Sequence, residues 1–404
     1  MRVVLWGTYD TGKPRTRMLC GALRAAAIDT IEIHSEIWSG VEDKSQLKGL
    51  RVKVAYLLRW LAAYPGLVIR YLRAPAHDAV VVGYLGHLDV LVLWPFARMR
   101  GKPIVWDAFL SLYDTVVQDR RLVGPRHPVA WMLRGWEWLA CRAATRVVLD
   151  TEAHAGLFRQ LYGLSAERTA AVFVGSETNV FAAAPAAAPA PAPAPPPARA
   201  GEPEDGDGDL TVLFYGQFIP LHGIETIVRA AQAATDRPYR WVMIGGGQEE
   251  SRIRALIGSG PRLRLDWIPW VRYDELIDWI VRADVCLGIF GATGKAARVI
   301  PNKVFQIVCA GRPLITRDSP AVRELLDESM PGVYLVPPAD PEALLAALEK
   351  YRNESESLAA AGQGLHGTAR RRFTLAALGA DWRRIAAEAI GAGAPTVAAA
   401  GARR

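Results

Sequence analysis

The sequence predicts an α/β protein of two domains, each built from a parallel β-sheet with helices on both faces. Its 404 residues exceed the roughly 250 to 300 at which a single hydrophobic core usually stops growing. Short apolar runs alternate with longer helical patterns on either side of a segment rich in alanine and proline. We therefore expect two Rossmann-like βαβ domains facing each other across a cleft, with ligands beyond the carboxyl ends of the strands.

Twelve short apolar runs predict the strands. Six precede the Ala/Pro-rich segment, at residues 2–6, 30–34, 79–82, 103–106, 146–149 and 170–174. Six follow it, at residues 210–215, 241–244, 263–266, 285–289, 313–316 and 333–336. Longer helical patterns separate these runs, so the connections fit crossovers between parallel strands.

Composition along the chain sets the predicted domain boundaries. Residues 1–181 form the first domain, and residues 182–209 form a linker, because an Ala/Pro tract followed by an acidic, glycine-rich stretch cannot build a packed core. Residues 210–390 form the second domain, whose last helix is free to pack back on the first. Residues 391–404 are expected to be a disordered tail.

Several classes of protein are disfavoured by composition. The four cysteines lie far apart and form no CxxC pair, which argues against a zinc site or a disulfide framework and favours a cytoplasmic protein. Charged residues or prolines interrupt every long apolar stretch, so no membrane-spanning helix is expected. The net charge of +7 suits anionic partners, but the dispersed basic residues accompany no nucleic-acid-binding motif.

The loop after the first strand of the second domain is the strongest local signal. Gly216 and Gly223 bound a segment that also contains Gln217 and His222 and leads into a helix. Backbone N–H groups at such a helix start favour a phosphate, and His222 could donate a hydrogen bond or, if protonated, supply charge. A tight turn with a solvated histidine explains this segment equally well.

Two further loops follow strands of the same domain. Gly245 and Gly246 lie in a glycine-rich turn that could pass under a ligand, although a sharp entry into a helix is the simpler explanation. Residues 295–306 carry a group of polar side chains that could grip a nucleotide, namely Lys295, Arg298, Asn302, Lys303 and Gln306. Asn302 and Gln306 are spaced i, i+4 on one helical face. The alternative is an ordinary helix start with solvated cations.

These motifs resemble the donor-binding domain of glycosyltransferase family 4. Four other stretches share the resemblance, at residues 174–181, 310–316, 323–325 and 340–344. The resemblance implies the GT-B fold and a retaining, metal-independent transferase that uses a nucleotide-diphosphate sugar as co-substrate and needs no other cofactor. It places the donor in the second domain and a glycan or lipid-linked acceptor mainly in the first, as in polysaccharide or glycoconjugate assembly.

The chain departs from the family pattern at three positions. Gln217 and His222 stand where the family commonly has arginine and lysine near the donor phosphates, and Gln306 stands where it has a ribose-binding carboxylate. The earlier position of the family's paired-glutamate motif falls on Arg298. Neutral amides and an imidazole supply less fixed charge than the usual set. A sugar-nucleotide epimerase and a non-catalytic, nucleotide-sugar-binding protein of the same fold are therefore the alternatives.

The first domain offers candidates for the reacting sugar and the acceptor. Gly12 lies in a loop after the first strand, and His87 and Asp107 follow the third and fourth strands, near one edge of the predicted sheet. We expect His87 and Asp107 to orient the sugar or the acceptor hydroxyl. Structural roles are the equal alternative for both: a capping or packing histidine, and a loop or capping acid.

One segment of the first domain suits the surface of a membrane. Residues 51–73 combine basic and aromatic side chains with an apolar stripe, interrupted at Pro65 and Gly66, which predicts two short helices. A helix facing the protein core with solvated arginines explains the same pattern slightly better. Peripheral contact with the inner face of a membrane remains an open expectation.

Overall fold

The computed structural model describes residues 1–37, 50–181, 209–361 and 365–393. The chain forms two compact units. The first contains residues 1–113 and 126–173 together with the last helix, and the second contains residues 114–125 and 174–374. The predicted linker, apart from Asp209, and the predicted tail after residue 393 lie outside the described residues.

The first unit is a six-stranded parallel sheet with helices in the crossovers. Its elements are β1 (Arg2–Gly7), α1 (Pro14–Ala25), β2 (Asp29–His34), α2 (Leu50–Leu72), β3 (Ala79–Val82), α3 (His87–Met99), β4 (Ile104–Phe109), α4 (Pro128–Ala143), β5 (Arg146–Leu149), α5 (Glu152–Tyr162) and β6 (Thr169–Ala171). The strand order is β2-β1-β3-β4-β5-β6. The order reverses between β1 and β3, which is where open α/β sheets bind ligands.

The second unit repeats this architecture. Its elements are α6 (Thr178–Phe181), β7 (Leu210–Tyr215), α7 (Ile224–Ala233), β8 (Tyr239–Ile244), α8 (Glu250–Gly258), β9 (Leu265–Ile268), α9 (Leu276–Arg282), β10 (Val285–Leu287), α10 (Gly294–Arg298), α11 (Asn302–Cys309), β11 (Leu314–Arg317), β12 (Val333–Val336), α12 (Pro341–Ala361) and α13 (Gly367–Arg371). The parallel sheet has the order β12-β11-β10-β7-β8-β9, so the reversal falls between β7 and β10.

The last helix, α14 (Leu375–Gly393), packs on α1 in the first unit. A Cβ atom placed on Gly379 would lie 2.5 Å from the carbonyl oxygen of Ala22, so the two helices approach too closely for a side chain there. The sequence analysis counted this helix with the second domain and left it free to pack back on the first. The compact units divide differently, because the buried face of α14 belongs to the first core.

The apolar runs predicted all twelve strands, with shifts of up to three residues at their ends. The prediction of two short helices in residues 51–73 was wrong, since α2 is a single helix with Pro65 inside it. Proline removes one backbone hydrogen bond from a helix. Tyr64, Leu67 and Tyr71 on either side of the break are all buried in one core cluster, and this packing holds the helix together.

A buried ion pair joins α1 and β4 of the first unit and contacts the chain that follows β6. Both carboxylate oxygens of Asp107 on β4 accept from Arg15 on α1, at 2.6 and 2.9 Å, and both side chains are almost fully buried. Arg15 also donates to the carbonyl oxygen of Val172 at 2.6 Å. Burial raises the pKa of the Asp107 carboxyl, and Arg15 offsets part of that effect.

We predict that Asp107→Asn lowers the free energy of unfolding by about 3 to 5 kcal/mol, because it leaves the Arg15 charge buried without its counter-ion. Urea unfolding of the full chain measures this change. Asp29→Asn is the matched control, since its ion pair with Arg2 at 2.5 Å is about half exposed and such pairs contribute little. Equal, small effects of the two variants would show that the buried pair is not stabilising.

Candidate functional site

The loops after β7 and β8 pack against each other through their glycines. A Cβ atom on Gly245 would lie 2.0 Å from the carbonyl oxygen of Gly216, so no side chain fits at residue 245. Both glycines have positive φ angles, +137° at Gly216 and +135° at Gly245, which disfavour residues with a side chain. The amide of Phe218 also donates to the carbonyl oxygen of Gly246 at 2.9 Å. These glycines set the close packing of the two loops.

Gly223 makes a similar contact with the loop after β10. Its φ of +64° is left-handed, and a Cβ atom there would lie 2.5 Å from the backbone of Phe290 and Gly291. Gly223 is also the N-cap residue of α7. The three loops that the sequence singled out in the second unit therefore meet at the carboxyl ends of β7, β8 and β10.

Lys303 brings a buried amino group to this position. The side chain is 5 % exposed, and its Nζ lies 3.7 Å from the centroid of the Phe214 ring. Among the described residues, Nζ has no hydrogen-bond partner and no carboxylate within ion-pair distance. Burial holds the pKa of Lys303 well below its ordinary value. A cation–π contact offsets only part of the cost of removing an ammonium from water.

His222 lies beside Lys303. A Cβ atom on Gly216 would lie 3.0 Å from Nζ of Lys303 and 3.1 Å from Cε1 of His222. Burial and the nearby Lys303 hold the pKa of His222 well below its ordinary value, so the imidazole is neutral near pH 7. In the free protein His222 therefore supplies no charge, and its predicted part in donor binding remains a prediction.

The hydrogen bond of His222 sets its tautomer. Its Nδ1 donates to the carbonyl oxygen of Gln217, because a carbonyl can only accept. In the neutral ring Nε2 then carries the lone pair. A phosphate oxygen cannot donate to that atom, whereas a sugar hydroxyl can.

Gln306 is held by two tyrosines. Its Oε1 accepts from the hydroxyl of Tyr215 at 3.1 Å, and its Nε2 donates to the hydroxyl of Tyr273 at 3.3 Å. Tyr273 in turn donates to Oε2 of Glu177 at 2.5 Å. Both ends of the amide are thus engaged within the protein. The sequence singled out Gln306 but missed the two tyrosines, whose importance depends on contacts across the fold.

The predicted cations of the loop after β10 contact an acidic segment. Residues Asp114–Asp119 form a π-helical turn that belongs to the second unit. Nη2 of Arg298 donates to Asp114 at 2.8 Å, and Nζ of Lys295 donates to the Thr115 hydroxyl at 2.8 Å. The sequence analysis predicts that both cations bind the donor. It does not predict their hydrogen bonds with this segment.

The same segment also contacts the start of α10. The hydroxyl of Thr293 donates to Asp119 at 2.9 Å and accepts from the amide of Ala296 at 3.2 Å, which caps the helix. Burial raises the pKa of Asp119, and Lys295 opposes that effect. Asn302, the remaining predicted donor ligand, is the first residue of α11 and is half-buried.

Within the first unit, Asp107 is not available to a substrate. It is fully buried, and its carboxylate is occupied by Arg15. The prediction that Asp107 orients the sugar or acceptor is therefore corrected to a role in the core. Gly12 lies in an exposed turn before α1, and its amide donates to Asp10 at 3.0 Å. Its predicted part in acceptor binding remains a prediction.

His87 lies at the first position of α3 and is 1 % exposed. Its Nε2 is 3.1 Å from Oε1 of Glu137, and Oε2 of the same carboxylate accepts from Ser111 and Tyr162. Burial alone would raise the pKa of Glu137, but the hydrogen bonds from His87, Tyr162 and Ser111 lower it below its ordinary value. Nδ1 of His87 has no hydrogen-bond partner among the described residues. A catalytic part for His87 remains a prediction.

Part of the second unit resembles known proteins in sequence. Residues 209–353 match the family model described as glycosyl transferases group 1. A curated relative named "Putative colanic acid biosynthesis glycosyl transferase WcaI", from Escherichia coli strain K12, is 26 % identical over 141 residues. That match covers 34 % of this chain and 34 % of the relative, so it spans about a third of either protein.

Solved structures resemble the chain over almost its whole length. HepE from Anabaena, in complex with UDP, has a TM-score of 0.62 at 14 % identity and covers 95 % of this chain and 99 % of its own. Sucrose-phosphate synthase from Thermosynechococcus elongatus has a TM-score of 0.62 at 18 % identity, with 96 % and 97 % covered. The lipopolysaccharide outer core galactosyltransferase WaaB has a TM-score of 0.60 at 15 % identity, with 95 % and 99 % covered. These likenesses confirm the predicted GT-B fold.

We predict that Lys303→Met stabilises the unliganded protein by about 1 to 3 kcal/mol at pH 7, because it removes the cost of burying an ammonium or deprotonating it. The pKa of Lys303 is lower in the folded than in the unfolded chain. The unfolded chain therefore binds more protons between those two values, and stability of the wild type rises with pH across that window.

The gain from Lys303→Met should accordingly shrink as the pH approaches the unfolded pKa of lysine. Urea unfolding at two pH values in that window measures it. Lys295→Met is the control, because Lys295 already donates to Thr115. A loss of stability in Lys303→Met would mean that Nζ has a stabilising partner in the free protein.

Proposed function

We propose that this protein is a retaining, metal-independent glycosyltransferase of family 4. It moves a sugar from a nucleotide-diphosphate sugar to a glycan or lipid-linked acceptor during polysaccharide or glycoconjugate assembly. The match of residues 209–353 to group 1 glycosyl transferases and the GT-B fold support the reaction class. Retention and independence from metal follow from the resemblance of the donor-loop motifs to family 4.

The observation that carries this proposal is the buried cation of Lys303 beside the backbone of Gly216. A buried ammonium without a carboxylate partner is costly for the free protein, and an anionic ligand at the end of β7 would remove that cost. The backbone of Gly216 lies beside Nζ of Lys303 and Cε1 of His222, and α7 begins at Ile224. A diphosphate bound at this position would interact with both the Lys303 amino group and the N–H groups at the start of α7.

The reaction needs stabilisation of the departing nucleotide diphosphate, because negative charge grows on the oxygen that leaves the sugar. A nearby phosphate raises the pKa of the Lys303 amino group. A larger fraction of that group is then protonated and positively charged. Arg298 provides a second charge if the diphosphate displaces Asp114 as its partner. Nε2 of His222 accepts from a hydroxyl of the donor sugar and so orients the ring.

The donor is proposed to carry uridine. The Anabaena structures that resemble this chain contain UDP, UDP with glucose, and UDP-glucose. The curated relative is named for colanic acid biosynthesis, which supports a polysaccharide or its lipid-linked precursor as the acceptor. The resemblance to family 4 implies a reaction without a bound metal, so the proposal requires no divalent cation in the assay.

We predict that UDP raises the melting temperature of the full chain more than GDP, ADP or TDP does, because specific binding stabilises the folded state. The shift grows with UDP concentration and is lost in Lys303→Met. Arg262→Met, which changes an exposed arginine of the same unit, serves as the control and retains the shift. Differential scanning fluorimetry measures all three proteins.

Product analysis then separates the possible reactions. Transfer releases UDP and places the sugar on an acceptor with the anomeric configuration of the donor. An epimerase changes the sugar without a second product. A UDP-dependent shift without turnover across a panel of glycan and lipid-linked acceptors would favour a binding protein, and no shift with any nucleotide would contradict the donor site.

A further inference from the structure

We propose that the outer face of α2, α3 and α4 binds the surface of an anionic phospholipid bilayer. This proposal concerns the first unit only and does not depend on the donor site. Thirteen of the nineteen exposed large apolar side chains among the described residues lie on these three helices. A concentration of this kind marks an interaction surface, since single exposed apolar residues are normally scattered.

Helix α4 carries the most exposed part of this face. Trp131 is 71 % exposed and Met132 is 59 % exposed, and Trp138 and Leu139 follow them seven residues later. A spacing of seven residues returns to the same side of a helix. Two tryptophans and two aliphatic side chains thus form a stripe along α4 that faces solvent.

The neighbouring helices extend the stripe. Helix α3 contacts both α2 and α4, and the inward residues of all three helices share one core cluster on the same side of the sheet. Trp94 and Met99 on α3 are exposed. On α2 the exposed apolar residues include Leu57, Leu58, Leu61, Ile69 and Leu72. The face is therefore continuous over three adjacent helices.

Charge indicates what kind of surface this face meets. The three helices contain seven lysines and arginines and only two acids, Asp89 and Glu137. Both acids are buried, so they do not offset the cations at the surface. Arg59, Arg98, Arg134 and Arg142 are all exposed beside the apolar side chains. Cations with tryptophan and leucine on one face suit an anionic bilayer, whose headgroups meet the charges while the apolar groups enter the interface.

A groove beside the stripe offers a place for part of a lipid. It has a volume of about 400 Å³ and lies between α4 and α5, lined by Trp131, Arg134, Gly135, Trp138, Leu161 and Tyr162. Most of its lining is apolar, and Arg134 adds a cation that can bind a phosphate headgroup. None of the helices in the described ranges is long and apolar enough to cross a bilayer. The contact proposed is therefore with the surface.

The test is flotation of the full chain with vesicles of phosphatidylcholine containing about a third phosphatidylglycerol. We expect binding that weakens with added salt and that falls with pure phosphatidylcholine. The double variant Trp131→Gln/Met132→Gln should bind about tenfold more weakly, because two apolar side chains no longer enter the interface. Arg134→Gln should bind roughly fivefold more weakly, since one cation near the surface is lost.

The matched control is Trp270→Gln, which removes a tryptophan that is 64 % exposed in the second unit and should leave binding unchanged. Melting temperatures of all variants check that they are folded. Equal binding of the double variant and the wild type would overturn the proposal. A dimer that the double variant dissociates, without vesicle binding by the wild type, would also overturn it and identify a second copy of the chain as the occupant of this face.

Discussion

The burial of the Lys303 side chain is the constraint around which the loops after β7 and β8 are arranged. Its Nζ lies over the ring of Phe214 and beside the backbone of Gly216. Because Nζ occupies this space, residue 216 cannot carry a side chain without displacing it, and the loop after β8 approaches Gly216 so closely that residue 245 must also be glycine. Burying a charged group destabilises the folded protein. Proteins keep such destabilising groups mainly at functional sites. This cost is the proposed origin of the affinity for the donor.

The fold was largely predictable because parallel strands buried on both faces appear as short apolar runs. All twelve strands were predicted on that basis. The continuity of α2 was not, since it depends on tertiary packing. Pro65 suggested two helices, but the buried tyrosines on either side of it maintain one. The last helix was expected to be free to pack back on the first domain, and Gly379 allows it to lie against α1.

The candidate site was predictable in part for a similar reason. Carboxyl ends of neighbouring parallel strands meet at one edge of a sheet, so the glycines after β7 and β8 and the side chains of α11 were expected together. The partners of these side chains were not predictable. Asp114 lies 184 residues before Arg298, and no local pattern links them. Likewise Asp107 follows the pattern of a cleft acid, but its carboxylate is engaged by Arg15 in the core.

The most direct test of the account is the proton uptake that accompanies UDP binding. Isothermal titration calorimetry in buffers of different ionisation enthalpy measures it at about pH 8, where the terminal phosphate is already ionised. If a diphosphate raises the pKa of Lys303, the wild type takes up protons when it binds UDP, and Lys303→Met loses that uptake. Tight UDP binding with no uptake, or with equal uptake by both proteins, would contradict the central role of Lys303.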